Sequence, residues 1–437
     1  MSLTKMRKRS SSLALAIALA TGSAIVATAV YPAEAQAQRK KKNDKAQAAA
    51  YSEAFVAAFN PVNEALGTEG TDVAAYKPQL TQLGAMASSP DEKMAAGGLI
   101  YNSAVKLSDQ TMQLRGMELM LESGKVHIDK VGQYNFIAYQ LANAQKDFPK
   151  SRNYLQAAIN SNFSTADIGP SDLQVALSES YFADSAYTDG LATLSSAIEA
   201  RKSSGQPVAE NWYKRGLTVA YNNKIQPQVY DYATMWIGDY ASPANWRDVV
   251  NLTRNLGSYD QQQTLDLLRL SRAANALTDK NDYSLYVETA DPRLLPQEVK
   301  NVIDEAYASE AVSRDDIFIS DSLTTATGRI ASDKSDLPAL ERDANATGAK
   351  LTTVYAAANA FYSYGQYAKA APLFEKALAM PGVNRAEALT RLGMAQVGLG
   401  NYSAASESFA QVDGTRAPIA KLWAAYAAQQ AASAGTM

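Results

Sequence analysis

The chain has 437 residues, with 41 Lys plus Arg against 44 Asp plus Glu, one histidine and no cysteine. That composition excludes disulfide stapling, thiolate metal sites and lipid attachment at a cysteine. Its mildly acidic balance also lacks the electrostatic footprint of a nucleic-acid binder.

In chain order, the first segment is a leader. Lys5, Arg7, Lys8 and Arg9 precede an apolar stretch over 13–30, and Ala33-Glu34-Ala35-Gln36-Ala37 places small residues at alternate positions. A positive head, an apolar middle and an A-x-A exit predict a signal peptide over 1–37 and a periplasmic mature protein. The alternative is an uncleaved anchor, because the apolar stretch reaches the roughly 17–25 residues that span a bilayer. Thr21, Gly22, Ser23 and Thr28 dilute that stretch, so cleavage with no stable membrane insertion is the expectation. Residues 38–50 read as a basic, Ala-rich linker, with Arg39 to Lys42 as a solvated run.

Residues 51–96 read as amino-terminal capping helices, followed over 97–313 by a degenerate array of helix pairs. One pair surrounds Ile100, Leu114 and Leu119; the next includes Phe148, Leu155 and Ala158, with Pro149 opening its second helix. Leu177, Tyr181, Tyr187, Leu194 and Ala197 fit another, and Trp212 to Gly216 opens a fourth that runs through Tyr232, Met235 and Trp236. Phe148 and Tyr187 stand 39 apart, and Tyr187 and Ile225 stand 38 apart. Further helices are predicted over 246–256, 259–277, 282–289 and 296–308. A polar bridging segment over 314–348 is expected to carry short helices near 323–331 and 337–346. The clearest pair lies within 349–430, together with a closing helix. Gly365 breaks it, and Tyr367, Ala370 and Phe374 share one helical face. Gly400, Tyr402, Ala405 and Phe409 repeat those positions 35 residues later. No stretch alternates β-branched residues as a strand would, so the fold is expected to be all-α.

Ala370-x₃-Phe374, Ala405-x₃-Phe409, Leu392-Gly393 and the Trp212…Gly216 spacing resemble the tetratricopeptide family, whose period is about 34 residues. The tryptophan place holds Val354 and Leu389 in the two carboxyl-terminal copies. More loosely, the chain is similar to exported tetratricopeptide proteins of alphaproteobacteria, which share a Gln-Pro-x-x-Glu-x-Trp-Tyr stretch, here Gln206 to Tyr213. The resemblance implies a right-handed α-solenoid of tetratricopeptide-like helix pairs. Its first helices would line a concave surface that holds a protein or peptide partner. The candidate lining residues are Phe136, Gln140, Asn143, Glu179, Tyr213, Leu217, Tyr221, Tyr355, Asn359 and Tyr362. The Lys/Arg clamp of some relatives is absent from these places.

Catalytic chemistry finds little to work with. The lone His127 sits in a polar loop sequence, with no G-x-S-x-G elbow and no phosphate-binding G-x-x-x-x-G-K. Zinc, haem and copper lack their usual ligands, so neither metal nor cofactor is expected. Glu179-Ser180 faintly resembles the catalytic segment of lytic transglycosylases, which makes a peptidoglycan-cleaving enzyme on a solenoid support the alternative function. Glu179 falls in the first helix of a repeat, however, and no further part of a lysozyme-like domain is evident downstream. The leading expectation is therefore an exported, non-enzymatic scaffold or assembly factor.

Overall fold

Helix starts are written locally along this chain. In the computed structural model, which describes residues 51–434, Ser52, Ser89, Asp109, Asp147, Ser242, Asp260, Asp316 and Asn384 each cap a helix. Their side-chain oxygens accept backbone N–H groups of the first turn that would otherwise be orphaned. Proline stands at the opening of helices beginning at Pro90, Phe148, Pro170, Gln226, Pro243 and Pro296, where its missing N–H is harmless. Pro149 is one of these, as its position predicts.

All described residues fall in helices, turns and loops, and two compact units divide the chain after Asn223. The first holds α1 (Glu53–Gly67), a 3₁₀ turn (Val73–Tyr76), α2 (Lys77–Met86), α3 (Pro90–Lys106), α4 (Gln110–Glu122), α5 (Ile128–Ala144), α6 (Phe148–Asn160), α7 (Pro170–Ala183), α8 (Tyr187–Ser203) and α9 (Glu210–Asn222). The second holds α10 (Gln226–Asp239), α11 (Pro243–Leu256), α12 (Gln261–Ala273), α13 (Lys280–Ala290), α14 (Pro296–Ala308), α15 (Ile317–Asn345), α16 (Leu351–Ser363), α17 (Tyr367–Leu378), α18 (Arg385–Gly398), α19 (Tyr402–Ala410) and α20 (Ala417–Ala434). A short 3₁₀ turn, Gly414–Arg416, leads into α20. The leader and linker expected over 1–50 lie outside the described residues.

One turn recurs between the helices of a pair. A single residue takes left-handed backbone, and the next N–H bonds a carbonyl five residues back: Ala186 N to Tyr181 O at 2.9 Å, Gln366 N to Phe361 O at 2.8 Å, Asn401 N to Gln396 O at 2.9 Å. This is the Schellman closure, which favours glycine because other residues lose energy there. Gly365 and Gly400 fill it in the carboxyl-terminal pairs, while Ser108, Lys146, Ser185, Asn275 and Glu310 fill it elsewhere. The turn residues Ser108, Lys146 and Ser185 stand 38 and 39 apart; Asn275 and Glu310 stand 35 apart, as do Gly365 and Gly400. The repeat therefore runs on through 245–311, where its side-chain signature fades.

Within the first unit, Phe55, Phe59, Leu66, Leu80, Leu83 and Ile100 form the core that seats α1 and α2 on α3. Phe136, Leu155, Leu173 and Leu177 join α5, α6 and α7. Burial of such side chains contributes about 1.5–3 kcal/mol each. In the second unit, Leu265, Tyr286, Val299, Ile303, Ile319 and Ala326 bind α12 to α15.

One expectation changes here. The bridging segment is not a set of short helices but one 29-residue helix, α15, with Pro338 inside it. Ser, Thr, Asp and Lys disguise its helical character, yet Ile319, Ser322 and Ala326 recur at helical spacing. The second unit is also closed on itself: α20 packs against α19 and α18, and against α10 and α12 from the other end of the unit. Arg391 of α18 donates to Gln262 of α12 at 2.6 Å, and Trp423 Nε1 of α20 donates to the Asp266 carbonyl at 3.0 Å.

Candidate partner-binding surface

Counting back from each turn residue gives the places that first helices present on one face. In α5, Phe136, Gln140 and Asn143 stand ten, six and three positions before Lys146. Phe136 is buried, stacked on Phe163 at 5.0 Å, while Gln140 and Asn143 are half-buried. In α7, Glu179 stands six before Ser185 and is half-buried. Arg215 of α9 grips it with two bonds, Nε to Oε1 and Nη2 to Oε2, both 2.7 Å. Burial first, and then the Glu179 charge, pushes the neighbouring Tyr139 hydroxyl up to about 12.

Helix α9 is out of phase with the expectation. Its turn residue is Lys224, so Lys214, Thr218 and Tyr221 hold the ten, six and three places. Tyr213 and Leu217 lie one position away, on the packing side, at 0% and 4% exposure. A one-residue step rotates a helical side chain by about 100°, enough to carry it from surface to core. Tyr221 remains half-buried at the face.

The same places in the second unit are filled by the protein itself. Tyr355, Asn359 and Tyr362 of α16 stand ten, six and three before Gly365. Tyr362 is buried under the Arg269 guanidinium, 4.7 Å from its ring centre. Tyr355 meets Phe374 edge-on at 5.7 Å, its hydroxyl buried beside Arg391 and Glu387. Asn359 Oδ1 accepts from Arg391 Nη1 at 2.7 Å. Arg391 and Arg215 both stand nine before their turns, and each reaches the six-before residue of the preceding pair. Tyr362 is thus enclosed where α12 and α18 meet, while Tyr355 and Asn359 stay half-buried with their polar ends turned to Arg391.

At the centre of that closure lies a cluster with no counterpart in the sequence reading. Asp266, fully buried, receives Arg416 Nη1 at 2.6 Å and Arg269 Nη1 at 3.1 Å, with Arg391 Nε 3.6 Å away. Arg269 also holds Glu298 through two bonds of 2.8 Å, and Tyr286 donates to Glu298 at 2.8 Å. Burial pushes the Asp266 carboxyl up, but Arg391, Arg269 and Arg416 more than offset this and hold it below the usual carboxylate range. Three buried arginines face three carboxylates, counting Glu387 beside Arg391. No local signal marks this cluster, since Asp266 and Arg391 occupy ordinary amphipathic helices in which charge is usually solvated.

Chemically, the first-helix surface offers amides, a hydroxyl, a phenol and a satisfied ion pair. Both Glu179 oxygens accept from Arg215, so neither is free to donate a proton to a glycosidic oxygen. His127 caps α5 and is 74% exposed beside Asp129. Among the described residues no group of three or more His, Asp or Glu gathers as metal ligands do. Among them, too, no helix is long and apolar enough to cross a membrane.

No family model matches the chain, and no curated protein matches it either. Among solved structures, it is similar to the complex of the TPR2AB domain of yeast Sti1 with pHSP90. The identity is 11%, with 70% of this chain and 99% of that chain covered, at a TM-score of 0.23. At that score the likeness adds nothing to the helix pairing seen directly in the turns and cores.

Proposed function

We propose that the protein is an exported, non-enzymatic scaffold that holds a partner protein or peptide on the first-helix face of residues 97–223. The observation that carries this reading is the contrast between the two units. In the second, Tyr362 is buried under Arg269 and the half-buried Asn359 is held by Arg391, an arginine of the Asp266 cluster. In the first, Gln140, Asn143, Thr218 and Tyr221 keep part of their surface in solvent. Amide and phenol groups on a repeated helical face suit recognition of another chain, and aromatic residues are common interface anchors. The Glu179–Arg215 ion pair then serves to fix α7 against α9, not to cleave a substrate.

Photo-crosslinking from the full chain tests the assignment. A crosslinker at position 143 or 221 should capture the principal partner, and one at position 359 should not. Equal capture from 359 would move the binding face to the second unit and overturn the reading. Replacing Glu179 by Gln should leave partner recovery and cellular function intact. The export half is read from the mature protein's mass: a start near Gln36 or Gln38 is expected, and a retained Met1 or Ser2 terminus contradicts it.

A further inference from the structure

Where α20 meets the start of α11 and the end of α12, the second unit keeps a cavity of about 200 Å³. All of its walls belong to this one unit. Its inner wall is aromatic: Trp246 of α11 is buried, and the half-buried Tyr426 of α20 meets it edge-on, with ring centres 5.9 Å apart. The polar ends of both rings are already satisfied inside the protein. Trp246 Nε1 donates to Gln429 Oε1 at 3.2 Å, and the Tyr426 hydroxyl donates to the Ala273 carbonyl at 2.9 Å. These two bonds fix the aromatic wall and the orientation of the Gln429 amide.

The rim differs, because its polar groups have no partner among the described residues. With Oε1 held by the indole, Gln429 Nε2 makes no bond, and neither end of the Gln430 or Asn275 amide makes one. Ser242 Oγ accepts the Asn245 N–H at 3.1 Å, which leaves its own proton for another acceptor. Asn275 is placed by its backbone: at φ 54° it takes the left-handed turn position that Gly365 and Gly400 fill in the carboxyl-terminal pairs. A side chain costs energy there, and asparagine is among the few that tolerate it. Glycine would close the turn with less strain but would leave the rim without this amide.

The chemistry of these walls selects a ligand class. Among the described residues that line the cavity none is charged, so an ion would leave water without a counter-charge. The three carboxamides and the hydroxyl each donate and accept. Their match is a ligand whose groups also do both, as hydroxyls do and carbonyls or apolar rings do not. The aromatic wall calls for an apolar C–H face on the same molecule. A void of roughly 150 Å³ holds a benzene ring, so this one admits a single substituted six-membered ring. We propose that the cavity binds one neutral sugar ring, packed against Tyr426 and held at its hydroxyls by Gln429, Gln430 and Asn275. This site lies in the second unit and the proposed partner face in the first, so either assignment stands or falls alone.

Titration of the isotope-labelled full chain with D-glucose, D-galactose and N-acetyl-D-glucosamine, followed by NMR, tests this. The readout is the Trp246 indole N–H, one of 4 such signals, identified by its loss in Trp246→Phe. At least one sugar should move it saturably, with half-saturation at roughly 1–10 mM, as suits one ring held by a few hydrogen bonds. The methyl glycoside of that sugar then separates the sources: retained binding points to a residue of a glycan chain, and loss points to the free sugar. Gln430→Ala and Asn275→Gly should each weaken binding by roughly three- to tenfold. Asn275→Gly also relieves the left-handed turn, so its lost affinity should come with an unchanged or raised thermal midpoint. No shift with any of the three sugars up to about 100 mM would overturn the proposal. So would an equal shift with glycerol, or full affinity in both variants.

Discussion

Asp266→Asn is the most informative single perturbation of this fold. The side chain keeps its shape but loses the charge that three guanidiniums share, at 2.6, 3.1 and 3.6 Å. At an effective dielectric near 20, one such pair attracts by about 5 kcal/mol before desolvation is counted. Burial offsets much of that gain, and removing one member of a buried ionic set costs about 3–5 kcal/mol net, because the remaining charges stay unmatched. Urea unfolding at neutral pH should therefore show a midpoint well below that of the parent. Trp236, Trp246 and Trp423 all lie in the second unit, so tryptophan emission reports on it, and Trp212→Phe removes the remaining signal from the first. The pH dependence adds a second reading. Asp266 is held below its unfolded value, so its stabilisation is present above about pH 4 and fades as pH falls through the carboxylate range. The gap between parent and Asn variant should narrow as pH drops from 7 towards 3. An Asn variant as stable as the parent at pH 7, or a gap unchanged by acid, would refute the central role given to this carboxylate.

Three further outcomes rest on the repeat geometry. Phe374→Ala empties a fully buried site against Tyr355 and should cost about 3–5 kcal/mol, with faster amide exchange concentrated in 351–434. Lys146→Gly relieves a left-handed turn at φ 61° and should stabilise the first unit by about 0.5–1 kcal/mol, read as a raised thermal midpoint. Glu92→Gln weakens a buried carboxylate that accepts from Ser52, Ser88 and Ser89. It should cost about 2–3 kcal/mol and speed exchange in α1, since bonds to a charged acceptor are the strong ones. Burial pushes that carboxyl up, but the hydrogen bonds from Ser89, Ser52 and Ser88 overcome this and hold it below the ordinary range. The stabilisation is accordingly lost as pH falls below about 4.

Local chemistry alone determined the helical character, most helix starts and the pairing of neighbours. Caps such as Ser89 and Asp260, openings such as Pro149 and turns such as Gly365 act within five residues of chain. Such signals are legible wherever glycine or a capping side chain is present, and they dim where Lys146 or Ser185 takes the left-handed place instead. The continuous helix α15 was hidden because its polar residues suggest a loop, although its ends carry helical spacing. Helical phase was the next casualty: a single-residue error put Tyr213 and Leu217 on the face that Lys214 and Thr218 occupy. The closure of the second unit was beyond sequence altogether. Asp266 is charged and sits in an amphipathic helix, so its pattern predicts solvent; its actual neighbours, Arg391 and Arg416, lie 125 and 150 positions further on. Contacts at that range depend on how far each pair rotates against the next, a sum of small packing angles that no local run of residues encodes.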